Sequence, residues 1–260
     1  MKFRRIAQLV VGLGLGCWAA GAPAAQNVVL YGDDDYPPYS YVEGGQFKGF
    51  YVDLLRLAAK AMPDYQIDLR PRPWKRGLAE LEKGYSFGLF PPGLKVERNF
   101  IASYSAPLYR ETVVLFCHAD VMKTPRKNFP ADFSGLTIGV NAGFLLSQRL
   151  IDAARQGLLV LEAAKGNEAN LKKLALKRIA CYASDRGAAR YSAKLLHTYL
   201  EHLDFSLVEA VELSGEDTFI AYSARNTPPY KADFIAKMNA ALELLRNNGE
   251  AARLANAYLH

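Results

Sequence analysis

The stretch that most constrains the fold runs from Val28 to Met62, VVLYGDDDYPPYSYVEGGQFKGFYVDLLRLAAKAM. An apolar strand, Val28 to Tyr31, leads into an acidic, aromatic, proline-rich turn. A glycine-bearing return at Gly44 and Gly45 follows, and then an amphipathic helix. Tyr51, Leu54, Leu55, Ala58 and Met62 carry the three-and-four spacing of one buried face, with Arg56 and Lys60 on the other. Prolines fix φ, so the tyrosines around Pro37 and Pro38 form a stiff wall at the mouth of a strand, the kind of surface that holds a small solute.

The same alternation continues along the chain. Strands are predicted at Tyr65 to Leu69, Gly88 to Phe90 and Thr112 to Cys117, with a helix from Lys75 to Lys83, which gives a β-α-β-α-β unit and a parallel sheet covered by helices. A second unit follows. Its strands are at Thr137 to Val140, Leu158 to Leu161 and Arg178 to Ala183, and its helices are at 145–155, 170–176 and 185–203. Further strands at Phe205 to Val211 and Thr218 to Ser223 precede helices at 230–246 and 250–258. Two α/β units with extra terminal helices imply that the chain returns to its first lobe. The expected division is residues 26–117 with 222–260 as lobe one and 118–221 as lobe two, joined by crossing strands at Val113 to Cys117 and Thr218 to Ser223. A site between such lobes lies at the carboxyl ends of the strands.

Residues 1–25 pair Lys2, Arg4 and Arg5 with an uncharged apolar run to Ala20 and a small-x-small close, Ala22-Pro23-Ala24, as a cleaved secretory leader does. A spanning helix would need ~20 apolar residues. A lipoprotein at Cys17 is the weaker alternative, because Gly14 stands where a branched aliphatic residue belongs. Without the three leader cations, 29 Lys and Arg oppose 26 Asp and Glu with no basic stripe, which excludes a nucleic-acid partner. Half the residues are apolar, enough for two cores.

Outside the leader stand Cys117 and Cys181. In an oxidising compartment they are a candidate disulfide, and the alternative is two unpaired thiols in strands. His118, His197, His202 and His260 lack ligand spacing, so neither a metal nor a cofactor is expected. From Trp74 to Arg98 runs WKRGLAELEKGYSFGLFPPGLKVER, where Pro91, Pro92 and Gly93 break any regular element ahead of Arg98. An arginine behind a rigid loop and facing an aromatic wall can grip a carboxylate through two parallel N–H bonds; the alternative is a solvated surface charge.

With these residues in view, the chain resembles the extracellular solute-binding proteins of family 3, the type II periplasmic binding proteins of polar-amino-acid ABC importers. The resemblance rests on an ordered series. It includes Asp35 to Tyr41, Gly49 to Leu54, Pro73-Trp74, Glu97-Arg98, Tyr104 to Tyr109, Gly135 to Val140 with Gly143, Ile179 to Asp185 and Ala241 to Gly249. It implies the α/β, two-lobed type II fold, each lobe a mainly parallel sheet with flanking helices. It also implies a ligand held between Tyr36 and Trp74, with its carboxylate on Arg98 and any ammonium on Asp185 as the lobes close. The implied partners are a small amino acid or related carboxylate and a membrane ABC permease, and the implied protein is a monomer in the periplasm and not an enzyme.

The chain departs from the family's pattern at the loop. Ser86 or Phe87 replaces an aspartate, Pro91, Pro92 and Gly93 replace hydroxyl residues, Lys95 replaces a threonine, and Gly143-Phe144-Leu145 replaces Gly-Thr-Thr. Backbone N–H groups at Gly93 and near Gly143 would compensate in part. A ligand-sensing module for a membrane receptor and a dehydratase-like enzyme remain as alternatives on the same scaffold. Asp33, Asp34, Asp35 and Asp185 are available to the latter as acids or bases.

Overall fold

The computed structural model describes residues 25–94, 98–142 and 147–259. Residues 1–24 of the expected leader, with Cys17, lie outside the described residues, as do Lys95, Glu97 and the expected helix start at Gly143. The first sheet contains β1 (Gln26–Asp33), β5 (Tyr65–Arg72), β6 (Gly88–Phe90), β7 (Ile101–Tyr104) and β13 (Ala221–Ser223), in the order β5-β1-β6-β13-β7. β1 pairs in parallel with β5 and β6, and β13 returns antiparallel to β6 and β7. A three-stranded flap of β2 (Asp35–Tyr36), β3 (Ser40–Glu43) and β4 (Gln46–Lys48) rises between β1 and α1 (Phe50–Lys60). The return in this flap is made by Gly44 and Gly45, both at positive φ, where a side chain would be strained.

α1 buries Tyr51, Leu54, Leu55 and Ala58, the face that its spacing predicts, and Phe50 and Val52 besides. α6 (Lys231–Asn247) and α7 (Glu250–Leu259) complete this core, with Phe234, Met238, Leu242, Leu245 and Leu259 packed among Val28, Leu30 and the α1 residues. The end of the chain thus closes the lobe that its beginning opens.

The second sheet has the order β10-β9-β11-β8-β12, from β8 (Tyr109–Cys117), β9 (Thr137–Asn141), β10 (Val160–Ala164), β11 (Cys181–Asp185) and β12 (Val208–Thr218). β8 alternates strictly. Leu115 and Cys117 join Ile138, Val140 and Cys181 on one face, and Val114 and Phe116 join Leu171, Leu174 and Tyr182 on the other. The expected boundary at residue 117 therefore falls at the far end of a strand that belongs whole to the second sheet. Antiparallel pairing with β11 and with β12 holds it there.

The second crossing strand also differs from the expectation. Strands at 205–211 and 218–223 were expected; β12 is one continuous strand over 208–218, and 221–223 forms β13 in the first sheet. Ser214 and Gly215 look like a break in sequence, but pairing along β8 carries the strand through them with two register shifts. β7 occupies a stretch expected to be loop. Cys117 and Cys181 stand opposite one another on β8 and β11 and form a disulfide, with Cα atoms 3.9 Å apart.

Candidate functional site

β8 and β12 run side by side from one lobe into the other, Tyr109 opposite Thr218 and Cys117 opposite Val208. At the first-lobe end Leu108 N donates to Thr218 O, Phe219 N donates to Pro92 O, and Gly93 bridges Thr218. The candidate site is built around this junction.

Its first wall comes from the proline turn and from the start of α1. Tyr39 N donates to Tyr36 O at 2.8 Å, which closes the turn over Pro37 and Pro38. The ring centroids of Tyr36 and Tyr39 lie 4.9 Å apart, and those of Tyr39 and Tyr51 lie 5.3 Å apart. Tyr39 and Tyr51 are buried and Tyr36 is half-buried. The three hydroxyls leave this wall together. Tyr36 donates to Glu111 Oε2 at 2.5 Å and Tyr51 to Glu111 Oε1 at 2.6 Å. Tyr39 donates to Asp185 Oδ1 at 2.7 Å, and the Tyr51 and Thr218 hydroxyls are 2.7 Å apart.

Asp185 sits at the junction of β11 and α5 (Arg186–Tyr199), where its side chain caps the helix by accepting from Ala188 N at 2.8 Å. Thr112 N, on the crossing strand, donates to its other oxygen at 3.3 Å. Among the described residues neither Glu111 nor Asp185 has an ion-pair partner. Burial pushes the Glu111 carboxyl up to about 8, and the charge of Asp185 adds to this against the two tyrosine hydrogen bonds. Burial likewise raises Asp185, opposed by the Ala188 N–H and Tyr39. Tyr36, Tyr39 and Tyr51 are raised well above the usual phenol value by burial first and by these carboxylates second. Asp33, at the end of β1, is pushed up to about 6, chiefly by burial.

A second group lies on the other side of Thr218. Trp74 opens α2 (Trp74–Lys83) and packs with Tyr31, Leu78, Phe100 and Tyr104 against Leu81, Leu89 and Ala221. The Arg98 guanidinium lies 5.8 Å from the Trp74 ring centroid, and its Nη1 donates to Gly93 O at 3.2 Å. Arg98 has no ion-pair partner among the described residues. A Cβ on Gly93 would come within 2.1 Å of the Glu216 carboxylate, so a side chain there would have to displace that glutamate.

The five expected ligand residues thus fall into two clusters, Tyr36 with Asp185 and Trp74 with Gly93 and Arg98, linked through Thr218. Tyr36 stacks on Tyr39, and among the described residues no ring contact joins it to Trp74. Sequence pattern places Tyr39 in the proline-turn wall and Tyr51 on the buried face of α1 but gives neither a polar partner. Only the charged Arg110-Glu111 pair inside an otherwise strand-forming run marks Glu111, and nothing local marks Thr218 as a site residue. No group of three or more metal-ligating side chains converges among the described residues.

A two-lobed α/β body whose paired crossing strands carry polar groups at the interlobe cleft defines a binding protein of the type II periplasmic class. The chain belongs to the bacterial extracellular solute-binding proteins, family 3, whose family model matches residues 28–260. No curated protein matches it. Among solved structures it is similar to an ancestral cationic amino acid solute binding protein, with 18% identity, a TM-score of 0.70 and coverage of 90% of this chain and 96% of that one. It is also similar to substrate binding domain 2 of GlnP from Lactococcus lactis in an open conformation, with 17% identity, TM-score 0.69 and coverage of 92% and 97%. A third is a histidine kinase sensor domain with similarity to periplasmic binding proteins, with 19% identity, TM-score 0.65 and coverage of 90% and 96%. At these identities the likeness is one of fold. Among the described residues no helix is long and apolar enough to cross a membrane.

Proposed function

We propose that the protein is exported behind its leader and binds a small carboxylate-bearing solute, an amino acid or a close derivative, which it delivers as a monomer to a membrane ABC permease. The observation that carries this reading is Arg98. Its guanidinium lies over the Trp74 ring beside the cleft, bonded to one backbone carbonyl and to no carboxylate among the described residues. A guanidinium so placed keeps donors free for a carboxylate. Asp185, on the facing lobe and without a counter-cation, is suited to the ammonium of the same solute. Solved structures of the same fold include an amino acid solute binding protein, which agrees with that ligand class.

The test is a thermal-shift screen over amino acids, opines, polyamines and small carboxylates, since specific binding raises stability by mass action. Titration calorimetry of the best solute against the parent and Arg98→Ala follows. Equal affinity for the two would refute the site.

A second reading has one observation in its favour. Glu111, with its carboxyl pushed up to about 8, holds a proton near neutrality as a cleft acid catalyst must. Turnover of a bound solute, lost in Glu111→Gln, would establish that reading instead.

A further inference from the structure

Among the described residues, the Tyr39–Asp185 side of the cleft is spanned by the protein's own side chains. Tyr39 donates across it to Asp185 at 2.7 Å, and farther out the Tyr41 and Tyr191 hydroxyls meet at 3.2 Å. At the start of α5, Gly187 lies so close to the first lobe that a Cβ there would stand 2.7 Å from the Tyr39 hydroxyl and 3.0 Å from Leu259 Cδ2. Ala188 is buried in the first lobe's core cluster. The space left among Tyr39, Tyr109, Thr112, Asp185, Arg186, Gly187 and Leu259 is about 10 Å³, room for at most one water and for no solute. Both oxygens of the Asp185 carboxylate accept hydrogen bonds, from Tyr39, Ala188 N and Thr112 N. Of these three donors Tyr39 alone reaches it from the first lobe's wall.

We propose that the Tyr39 hydroxyl is an internal latch, which takes the place of a ligand's ammonium on Asp185 and holds the lobes shut until a solute displaces it. The latch rests on the solute-binding reading for its purpose, though not for its geometry. Closing a cleft ordinarily draws on contacts with the ligand. Here one charge-assisted hydrogen bond, with the close fit at Gly187, closes it with none. The apparent affinity for any solute is then lowered by the fraction of molecules that are open. The device suits a protein that must ignore weak ligands and respond to one able to outcompete a tyrosine hydroxyl.

The test uses the ligand-free protein. Spin labels are attached through a ketone-bearing amino acid at the exposed positions Glu82 and Lys194, one on each lobe, which leaves the cysteines untouched. The interlobe distance distribution is then measured by pulsed electron spin resonance. The parent is expected to show mainly the short distance. Tyr39→Phe removes only the hydroxyl, and the ratio of open to closed molecules is expected to rise about tenfold, the weight of one such bond. Gly187→Ala wedges the interface while favouring helix, and is expected to open the cleft as well. It keeps the proposal testable if Tyr39→Phe does not fold.

A parent that is already mostly open, or a folded Tyr39→Phe with the parent's distribution, overturns the latch, even if Gly187→Ala opens. If the distances behave as expected and no screened solute binds, the latch stands and the ligand assignment fails.

Discussion

Replacing Glu111 with glutamine gives the sharpest test of the cleft's electrostatics. Glu111 lies on the crossing strand with both carboxyl oxygens bonded to tyrosine hydroxyls and with the charge of Asp185 acting on it. Its carboxyl is pushed from 4.5 up to about 8, so the folded protein retains a proton that the unfolded chain releases. The sign follows directly. Below pH ~4.5 both states are protonated and the group is neutral in the balance. As pH rises from there to about 8, stability falls, and above 8 the full penalty applies. At about 1.4 kcal/mol per unit the shift sets a ceiling of ~5 kcal/mol. Partial exposure and sharing of the shift with Asp185 reduce the expected loss to ~2–3 kcal/mol.

Glutamine copies the protonated carboxyl in shape and cannot ionise. At pH 5 the two proteins should agree within about 1 kcal/mol. By pH 8 the variant should be the more stable by about 2–3 kcal/mol. Urea unfolding of both proteins at half-unit steps from pH 4.5 to 8.5 measures this, with equal m-values as the check that only stability has changed. Titrating groups that do not interact with Glu111 are common to the two proteins and cancel in the difference, and Asp185, which shares the shift, contributes with it. Parallel stability profiles would refute the placement of a carboxyl bonded only to tyrosine hydroxyls, without a counter-cation among the described residues, at this point.

Arg98→Ala should weaken solute binding by ~2–5 kcal/mol, roughly a hundredfold or more, and change unfolding stability by less than about 1 kcal/mol, because Arg98 makes one backbone hydrogen bond and one ring contact. Calorimetry and urea unfolding read the two effects separately. Asp185→Ala removes the cap of α5 and leaves the Tyr39 hydroxyl unpaired, so stability should drop by ~1–3 kcal/mol even without ligand; an unchanged urea midpoint would contradict the contacts described. The double replacement Cys117→Ser with Cys181→Ser opens a loop spanning 64 residues and should cost roughly 4 kcal/mol in the chain-entropy account. Denaturation under non-reducing conditions would show it as a lower midpoint, and an unaltered midpoint would count against a bonded pair.

The framework of the fold was legible because it is written in local periodicity. The buried face of α1 and the return of the terminal helices to the first lobe follow from apolar spacing that one segment carries by itself. β12 was not legible in that way. Val208 to Thr218 holds three glutamates, an aspartate and a Ser-Gly pair, a composition that by itself argues for a break. It is an edge strand whose only neighbour in its sheet is β8, a partner about a hundred residues earlier, and that pairing sets its conformation. Sequence pattern alone splits this strand in two, because nothing local tells a turn from a bulged edge strand.

The site divides along the same physical line. Trp74, Gly93 and Arg98 lie within one stretch, and an arginine close behind a proline–glycine loop can be read as a group. Tyr39 and Asp185 are 146 residues apart, and Tyr36 and Glu111 are 75 apart, so neither pairing leaves a mark on a spacing. The loop had seemed simply to lose hydroxyl donors, with Pro91, Pro92 and Gly93 where hydroxyl residues were expected. In the folded protein the cleft's hydroxyls stand on Tyr36, Tyr39, Tyr51 and Thr218 instead. The three tyrosine hydroxyls point at the protein's own carboxylates, not toward an open anion site. Prolines in the loop and tyrosines in the wall are then two halves of one arrangement. If a ligand's carboxylate is held beside this loop, as proposed, few hydroxyl donors remain there and the task would fall to Arg98. The hydroxyls have gathered instead on the carboxylates for which a ligand's ammonium would compete. On the proposed reading such a cleft would discriminate by competition at its acidic end, and its specificity would rest on Tyr39 and Glu111 as much as on Arg98.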